Sequence, residues 1–401
     1  MKKVIFIILS ILLFHNCEIN NEPNLKSLSP QDKELIATTN NFAYNIFKAV
    51  SESDKNLNVF ISPLSISYAL AMTFNGADGE TAEQMQALLG FGNLTKNDLN
   101  NSFKNIYDII IGMDKKVELS LANSIWYKQE YTVNTNFKND ISKYYNAEIN
   151  PVNTCDSNTK NKINKWVENK TKDKIKNLID NVTCEDVMFL INAIYFKAEW
   201  TKAFDKDKTY DGEFVREDGT KDACKMMKGT DINYYCYKDS ILSMYELPYG
   251  NKQFSMMFLL PEKSKIDEFI SDLNVNLIEQ VRKNSYEKKG EIHIPKFKIE
   301  YEKRLNEILI AMGMPRAFDR SMAEFPNLFQ NSKDLFISLV KHKSYIDVYE
   351  EGTEAAAATV VGIEYTAFFE DIVKIDRPFV YIIIEKHTNT VLFIGKIIKL
   401  G

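Results

Sequence analysis

The sequence has few of the residues that bind transition metals, with only 4 His and 5 Cys among 401 residues. No two cysteines stand at the CxxC spacing that structural zinc sites commonly contain. A structural metal site is therefore not expected. Four cysteines lie in the body of the chain and permit three sets of disulfide pairings, which all stay open: Cys155, Cys184, Cys224 and Cys236.

The chain also lacks an excess of positive charge, because 50 Lys and Arg stand against 55 Asp and Glu for a formal net charge of −5. A general nucleic-acid binder needs a basic surface to contact phosphates, so nucleic acid is not expected as a partner. No linker-like stretch or fixed-period repeat interrupts residues 32–401. Since the chain is 45% hydrophobic, with 25 Phe and 20 Tyr, these residues are predicted to form one domain with a large core.

The hydrophobic run near the N-terminus, residues 4–14, is too short to span a bilayer comfortably. Because it follows the basic start Met1-Lys2-Lys3, residues 1–17 are predicted to be an export signal. Export would place the protein in an extracellular or periplasmic space, or on an outer surface. Residues 18–31 are polar and contain Pro23 and Pro30, and they are predicted to be a tether.

Cys17 stands directly after the signal, in the sequence LFHNC of residues 13–17. This sequence resembles the lipobox of bacterial lipoproteins. It departs from that pattern at Asn16, where a small residue is preferred, and at Phe14, where Leu is preferred. Two alternatives stay open: a lipid anchor on Cys17, which would be the chain's route to a membrane, or an ordinary cleaved signal beside an incidental Cys.

Apolar periodicity predicts mainly helices in the first half of the chain and mainly strands in the second half. Predicted helices cover residues 33–50, 82–89, 97–111, 136–145 and 158–169, and another begins at Ser62-Pro63. Near-continuous apolar runs predict buried strands at residues 187–196, 254–260 and 379–384. Alternation over residues 292–299 predicts one half-buried strand. The expected fold class is α+β with large antiparallel sheets.

The most unusual segment is EEGTEAAAATVVGIE, residues 350–364. Read with a period of two from residue 353 onward, one phase holds only small or apolar residues, while Glu354 and Glu364 fall in the other phase. The first phase consists of Thr353, Ala355, Ala357, Thr359, Val361 and Ile363. Such a segment can enter a sheet as a strand with one buried face. Because Ala favours helices over strands, an exposed Ala-rich helix stays open as the alternative.

Five blocks of the sequence resemble the serpin family, in that family's order. They are residues 58–66 (NVFISPLSI), 190–200 (LINAIYFKAEW), 350–359 (EEGTEAAAAT), 376–379 (DRPF) and 392–396 (LFIGK). The resemblance runs from about residue 31 to the C-terminus. It implies a monomer with three β-sheets, eight or nine helices and an exposed reactive-centre loop.

The resemblance also implies a function, namely a suicide-substrate inhibitor of serine, or alternatively cysteine, endopeptidases that is not itself an enzyme. In this family the protease cleaves the loop and forms a covalent 1:1 acyl-enzyme. It is then trapped as the loop inserts into the central sheet. The implied hinge of the loop consists of Glu350, Gly352, Thr353, Glu354, Ala355, Ala356, Ala357, Ala358 and Thr359.

Family spacing places the cleaved bond at Thr366–Ala367, with Tyr365 and Phe368 as rival specificity residues. The small Thr366 and Ala367 suit an elastase-like or subtilisin-like protease, whereas Tyr365 or Phe368 would suit a chymotrypsin-like one. A papain-like target stays open, because such enzymes read the second residue before the cut. The absence of Lys and Arg near the bond disfavours a trypsin-like target. A buried strand remains the alternative interpretation of residues 365–369.

Two further groups of residues match family positions. A polar cluster beneath the opening sheet would comprise Ser62, Ser65, Asn192 and His342, and the place where the loop enters would be formed by Trp200, Lys296 and Glu350. Ser62 and His342 also permit the alternative of a catalytic pair. The chain has no GxSxG elbow, however, and Ser62 is predicted to cap a helix rather than to occupy a strained turn.

Two other functions stay open. One is a non-inhibitory serpin that acts as a ligand carrier or chaperone, although such members usually have charged, bulky or proline-bearing hinges. The other is an unrelated surface adhesin or hydrolase. Some serpins bind heparin through a basic helix. In residues 97–116 the lysines are few and dispersed, so no cofactor is expected.

Overall fold

The computed structural model of the chain describes residues 26–330, 335–353 and 372–400. Within these ranges lie nine α-helices and two 3₁₀ turns, the latter at Lys206–Lys208 and Arg316–Phe318. The helices are α1 (Pro30–Ser53), α2 (Pro63–Phe74), α3 (Gly79–Leu89), α4 (Lys96–Gly112), α5 (Thr135–Tyr145), α6 (Thr159–Lys170), α7 (Ile266–Asp272), α8 (Val275–Lys283) and α9 (Asn306–Ala311). None of these described helices is long and apolar enough to cross a membrane.

Capping residues fix where the first helices begin. The Ser29 hydroxyl accepts a hydrogen bond from the Asp32 N–H at 3.1 Å, and the Asp32 carboxylate accepts one from the Ser29 N–H at 2.9 Å. This reciprocal cap, with Pro30 in the first turn, starts α1 inside the predicted tether rather than after it. Ser62 caps α2 in the way that the sequence predicts.

The strands are spread over the whole chain. They are β1 (Val59–Ile61), β2 (Val117–Lys128), β3 (Thr132–Val133), β4 (Glu148–Val152), β5 (Met188–Glu199), β6 (Tyr210–Val215), β7 (Lys221–Lys238), β8 (Leu242–Tyr249), β9 (Phe254–Pro261), β10 (Tyr286–Pro295), β11 (Phe297–Arg304), β12 (Phe329–Gln330), β13 (Leu339–Tyr349), β14 (Gly352–Thr353), β15 (Val373–Lys374), β16 (Phe379–Glu385) and β17 (Thr390–Ile397).

The strands form three sheets in the described part of the chain. A nine-stranded sheet has the order β1-β17-β16-β9-β8-β7-β10-β15, with β6 added to β7. A six-stranded sheet has the order β11-β13-β14-β5-β2-β4, and β12 pairs with β3 alone. The predicted α+β fold with three sheets and eight or nine helices is confirmed.

One strand prediction is wrong. Residues 292–299 do not form a single half-buried strand but belong to β10 and β11, which lie in different sheets. Pro295 has no N–H with which to extend a ladder, and the chain crosses between the sheets at Lys296. The apolar residues change phase at this point, from Ile292 and Ile294 to Phe297 and Ile299, and this shift is the sequence signal of the crossing.

Helix α2 lies in the centre of the molecule, and all of its residues are buried. It contacts β5 of the six-stranded sheet and β17 of the nine-stranded sheet. A chain segment buried on every side must satisfy each of its polar groups internally. At the start of α2, Ser62 bonds to His342 of the six-stranded sheet and to Leu392 of the nine-stranded sheet, and Ser65 bonds to Asn192.

The structure bonds Cys155 to Cys184, with their Cα atoms 4.4 Å apart, and leaves Cys224 and Cys236 as free thiols. Both free cysteines lie on β7. Their positions are separated by roughly 40 Å of extended strand, at about 3.3 Å per residue, so they do not reach each other. None of the three complete sets of pairings forms.

Candidate functional site

The six-stranded sheet contains a seam between its central strands β5 and β13. These strands pair directly and in parallel, from Leu339 opposite Phe189 to Ser344 opposite Ile194. Beyond Ser344 the two strands separate, and β14 lies between them. β14 is antiparallel to both neighbours, because Thr353 pairs with Val348 on β13 and with Ala198 on β5. The sheet is thus one strand wider at this end than along the rest of the seam.

The two residues of β14 fit the gap closely. At Gly352, φ is 150°, and an added Cβ would lie 2.1 Å from the Ala198 carbonyl oxygen, so only glycine fits there. Thr353 is buried, and its hydroxyl lies 2.7 Å from the phenol oxygen of Tyr249. Tyr249 in turn stacks on Trp200 with 4.3 Å between ring centroids. The first residues of the predicted hinge therefore already occupy the open end of the seam.

Trp200 and Glu350 hold the turn between β13 and β14. The Trp200 indole N–H donates to the Tyr349 carbonyl oxygen at 3.1 Å, and its backbone N–H donates to the Glu351 carbonyl oxygen at 2.9 Å. The buried Glu350 carboxylate accepts hydrogen bonds from Lys296 and from the Thr209 hydroxyl, each at 2.7 Å.

The charge of Glu350 follows from two opposing effects. Burial raises the pKa of its carboxyl, but the hydrogen bonds from Lys296 and Thr209 outweigh burial and hold the pKa below its ordinary value. The carboxylate is therefore ionised at neutral pH. The structure brings Trp200, Lys296 and Glu350 together, and it adds Thr209, which the sequence pattern does not indicate.

The four residues of the predicted polar cluster meet beneath the seam, and all are buried. His342 and Asn192 are direct partners across β13 and β5, and Asn123 is the partner of Asn192 on β2. The Asn192 amide donates to the Asn123 side-chain oxygen at 2.6 Å and to the Ser65 carbonyl oxygen at 2.7 Å. The result is a polar row that crosses three strands and reaches α2.

The hydrogen bonds of His342 define its protonation state. Its Nδ1 lies 2.8 Å from the Asn192 side-chain oxygen, and its Nε2 accepts the Ser62 N–H at 3.2 Å. Nδ1 therefore carries the proton and Nε2 is bare, since an amide N–H only donates. Burial lowers the pKa of His342 to about 3, so the ring is neutral at physiological pH.

The Ser62 hydroxyl is not directed at His342. It donates to the Leu392 carbonyl oxygen at 2.7 Å and accepts the Ser65 N–H at 3.3 Å. Nucleophilic catalysis requires the serine hydroxyl to hydrogen bond with its base at a place that substrate can reach. Ser62 and His342 are both fully buried, so their arrangement is that of a structural network rather than a catalytic pair.

Besides Thr209, three polar residues of the site are not predicted from the sequence. Asn123 accepts from Asn192, Ser344 donates to the Phe60 carbonyl oxygen at 2.6 Å, and Tyr249 bonds with Thr353. Asn123 lies in phase with the apolar Leu121 and Ile125 of β2, and a polar residue in such a row is the signal that could have identified it. Ser344 follows Lys343 and carries no such signal.

Several predicted site residues lie outside the described ranges. They are the lipidation candidate Cys17, the hinge residues Glu354, Ala355, Ala356, Ala357, Ala358 and Thr359, and the residues about the cleaved bond, Tyr365, Thr366, Ala367 and Phe368. Their assignments remain sequence-based predictions.

A protein-family model described as "Serpin (serine protease inhibitor)" matches residues 37–400 of the chain. The chain belongs to the serpin family. Leukocyte elastase inhibitor of Equus caballus is 34% identical to it over 377 residues, which cover 90% of this chain and 99% of the horse protein. Serpins are protease inhibitors rather than catalytic enzymes.

Two solved serpin structures are similar in fold. The thermophilic serpin tengpin in its native state has a TM-score of 0.85 and 33% identity, over 94% of this chain and 96% of tengpin. Human thyroxine-binding globulin in complex with thyroxine has a TM-score of 0.86 and 27% identity, over 92% of this chain and 99% of the globulin. The fold of this chain is thus as similar to that of a thyroxine-binding protein as it is to that of tengpin.

The neutral His342 makes the stability of the seam depend on pH. Between pH 6.5 and about 3 the unfolded chain binds a proton at His342 that the folded chain excludes. We expect this group to contribute its full stability above pH 6.5, and to lose about 1.4 kcal/mol per pH unit as the pH falls through that window. The free energy of unfolding, measured in urea at a series of pH values from 7 to 4, gives this slope against pH.

The variant His342→Gln should be less stable at pH 7 but should lack this part of the slope. His387→Gln, which replaces a partly exposed imidazole in the turn between β16 and β17, is the matched control; it leaves His342 in place and should keep the part of the slope that belongs to His342. Equal slopes in wild-type and His342→Gln proteins would contradict the assignment.

Proposed function

We propose that this serpin is a suicide-substrate inhibitor of serine endopeptidases that works by inserting its cleaved loop into the β5–β13 seam. The observation that carries this proposal is the position of β14. Gly352 and Thr353 are seated at the open end of a seam whose two strands otherwise pair directly. β14 runs antiparallel to both neighbours, so a longer β14 would continue down the seam between them.

The register of β14 supports the proposal. Thr353 lies opposite Val348 and Ala198, so counting along the strands puts residue 359 opposite His342 and Asn192. Insertion would separate those two residues and break their 2.8 Å hydrogen bond. Residue 359 is Thr, in the same phase as the inward-facing Thr353, and its hydroxyl is suited to bond with the parted pair. The other residues of this phase up to position 357 are Ala, which the seam can bury.

The energetics also favour insertion. Ordering each residue of the loop costs about 1–2 kcal/mol of conformational entropy. In return each residue gains ladder hydrogen bonds and burial, and one parallel pairing is replaced by two antiparallel pairings. Parallel pairs are slightly less stable per residue than antiparallel pairs, so this replacement should lower the free energy of the molecule once cleavage frees the loop.

The covalent step uses the chemistry of the target protease. Its nucleophile attacks the carbonyl carbon of Thr366, the bond to Ala367 breaks, and the new amine takes its proton from the protease's own acid. The acyl-enzyme then persists because insertion of the loop distorts the catalytic site of the protease, so that the ester is hydrolysed only slowly. The small residues at the bond and the similarity to leukocyte elastase inhibitor favour an elastase-like or subtilisin-like target. Trapping assays should also include chymotrypsin-like and papain-like proteases.

A ligand carrier is the second candidate function, favoured by the similarity to thyroxine-binding globulin. The hinge argues for inhibition instead, because residues 353–359 carry only one charged side chain, at Glu354 in the outward phase. We also propose that the protein is exported, with a lipid on Cys17 as one form of attachment. Mass spectrometry of the mature N-terminus tests both of these assignments.

The hinge is tested by Thr353→Arg. Because Thr353 is buried against Tyr249, an unpaired charge there should cost several kcal/mol and obstruct the seam. The variant should be cleaved as a substrate without forming the SDS-stable complex that wild-type protein forms. Thr353→Ser retains the hydroxyl and Glu354→Arg lies in the opposite phase, so both should keep trapping protease. Trapping by Thr353→Arg at the wild-type ratio would refute insertion.

The stability of the cleaved form tests the same mechanism without requiring a trapped protease. Cleavage between residues 361 and 369 should raise the thermal midpoint by tens of degrees, whereas nicking an ordinary loop lowers the midpoint or leaves it unchanged. Thr359→Val should reduce the stability of the cleaved form by about 1–3 kcal/mol, because His342 and Asn192 lose a partner. Thr359→Ser is the control. A cleaved form no more stable than the intact one would exclude insertion.

The position of the cleaved bond is tested by Thr366→Arg. If Thr366 precedes the cut, an arginine there should make the serpin trap trypsin, because trypsin-like enzymes read that residue. Ala367→Arg is the paired control and should gain trypsin trapping only if the bond lies one residue later. Mass mapping of the released peptide locates the cut directly. A cut elsewhere would correct the placement and leave the insertion mechanism standing.

A further inference from the structure

A second, smaller core lies on the face of the six-stranded sheet opposite to α2. We name residues 155–184 the cover; they comprise α6 and the segment that returns from it to β5. Apolar residues of the cover pack on β2, β5 and β13: Ile163, Val167, Ile175, Leu178 and Ile179. The sheet contributes Ala122, Trp126, Phe189, Ile191, Ala193 and Tyr345. The cover therefore lies across the seam.

The return segment of the cover is bonded directly to β13. Lys341 donates to the Asp180 carboxylate at 2.7 Å, and Lys343 donates to the Lys176 carbonyl oxygen at 2.8 Å. Both lysine side chains are buried, and Lys174 lies over the Tyr345 ring at 5.8 Å from its centroid. These contacts reach the strand on the far side of the seam.

The two ends of the cover are attached on the near side of the seam. Cys155 follows β4, Cys184 precedes β5, and the disulfide joins them across 29 residues of sequence. Lys128 on β2 donates to the Cys184 carbonyl oxygen at 2.9 Å, and Trp166 of α6 donates to Glu148 on β4 at 2.8 Å. The cover is thus closed into a loop on one half of the sheet while it binds the other half.

We propose that the Cys155–Cys184 disulfide fastens the cover over the β5–β13 seam and thereby sets how readily the seam opens. The proposal rests on the proposed function only in so far as seam opening serves loop insertion. A new strand between β5 and β13 moves the two halves apart by about 4.8 Å. The bonds of Lys341 and Lys343 to the cover do not survive that displacement unless the cover moves too.

The disulfide is accessible to chemistry, because both of its cysteines are exposed. A dithiol reductant supplies two electrons and two protons, so that the S–S bond becomes two thiols while the reductant forms its own disulfide. Releasing the closure lets the ends of the cover separate, and this widens the set of displaced conformations. The reduced protein should therefore open its seam more often than the oxidised one.

Amide hydrogen exchange on the intact full-length protein tests the proposal. Wild-type protein is compared oxidised, and reduced with dithiothreitol followed by alkylation, together with the variant Cys155→Ser/Cys184→Ser. Amides of the paired residues 189–194 and 339–344 should exchange roughly tenfold faster, or more, once the disulfide is open. The β16–β17 pair serves as the internal reference and should change little. Cys224→Ser, a thiol on β7 remote from the cover, is the matched control and should behave as wild type.

Two results would overturn the proposal. One is unchanged exchange at the seam in the reduced and alkylated protein, which folds before reduction and so does not depend on the folding of the double variant. The other is equal acceleration in both sheets, since that would make the disulfide a brace for the whole molecule rather than a fastening of the cover.

A protease-trapping assay, carried out beside the exchange measurement, distinguishes failure of this proposal from failure of the proposed function. If insertion occurs, opening the disulfide should lower the number of serpin molecules consumed per trapped protease. When the seam opens faster, insertion precedes hydrolysis of the acyl-enzyme in a larger share of encounters. Trapping with an unchanged ratio and unchanged exchange would refute the role of the disulfide and leave inhibition standing. Faster seam exchange with no trapping of any protease tested would refute inhibition and leave the role of the disulfide standing.

Discussion

The direct parallel pairing of β5 with β13 is the interaction on which the rest of the structure depends. It holds the six-stranded sheet together for six residue pairs and ends where Gly352 and Thr353 enter. A sheet that can accept another strand at its centre must keep that pairing strong enough to persist and weak enough to part. Parallel pairing, which is slightly less stable per residue than antiparallel pairing, suits both requirements.

The two faces of the seam restrain it in different ways. Alternation along β13 points His342 and Ser344 toward α2, and points Lys341, Lys343 and Tyr345 toward the cover. On the α2 face, buried polar groups are satisfied only while Asn192 and His342 remain in register, so the network specifies one alignment of the strands. On the other face, apolar packing and the hydrogen bonds of Lys341 and Lys343 hold the cover against the sheet.

Much of the fold could be predicted from the sequence, because caps and apolar periodicity are local signals. The Ser62 cap, the buried β5 and β16, and the helices of the first half follow from such signals. The polar cluster came from family resemblance, since nothing local joins Ser62 to His342. The Cys155–Cys184 pairing and the contact of Thr353 with Tyr249, 104 residues apart, depend on topology that periodicity does not encode.

The position of the polar row along the seam has a mechanical consequence. On the α2 face, a strand lengthening from Thr353 would pass two levels, Ile346 with Phe196 and Ser344 with Ile194. It would then reach the level of His342 and Asn192, where it must break a buried hydrogen bond. Until a new hydroxyl arrives, both partners are unsatisfied, at a cost of about 1–3 kcal/mol for each buried group. The row therefore acts as a barrier within the seam. In the proposed mechanism this barrier would oppose lengthening of β14 as far as residue 358, and Thr359 would supply the replacement bond once the strand reaches the row.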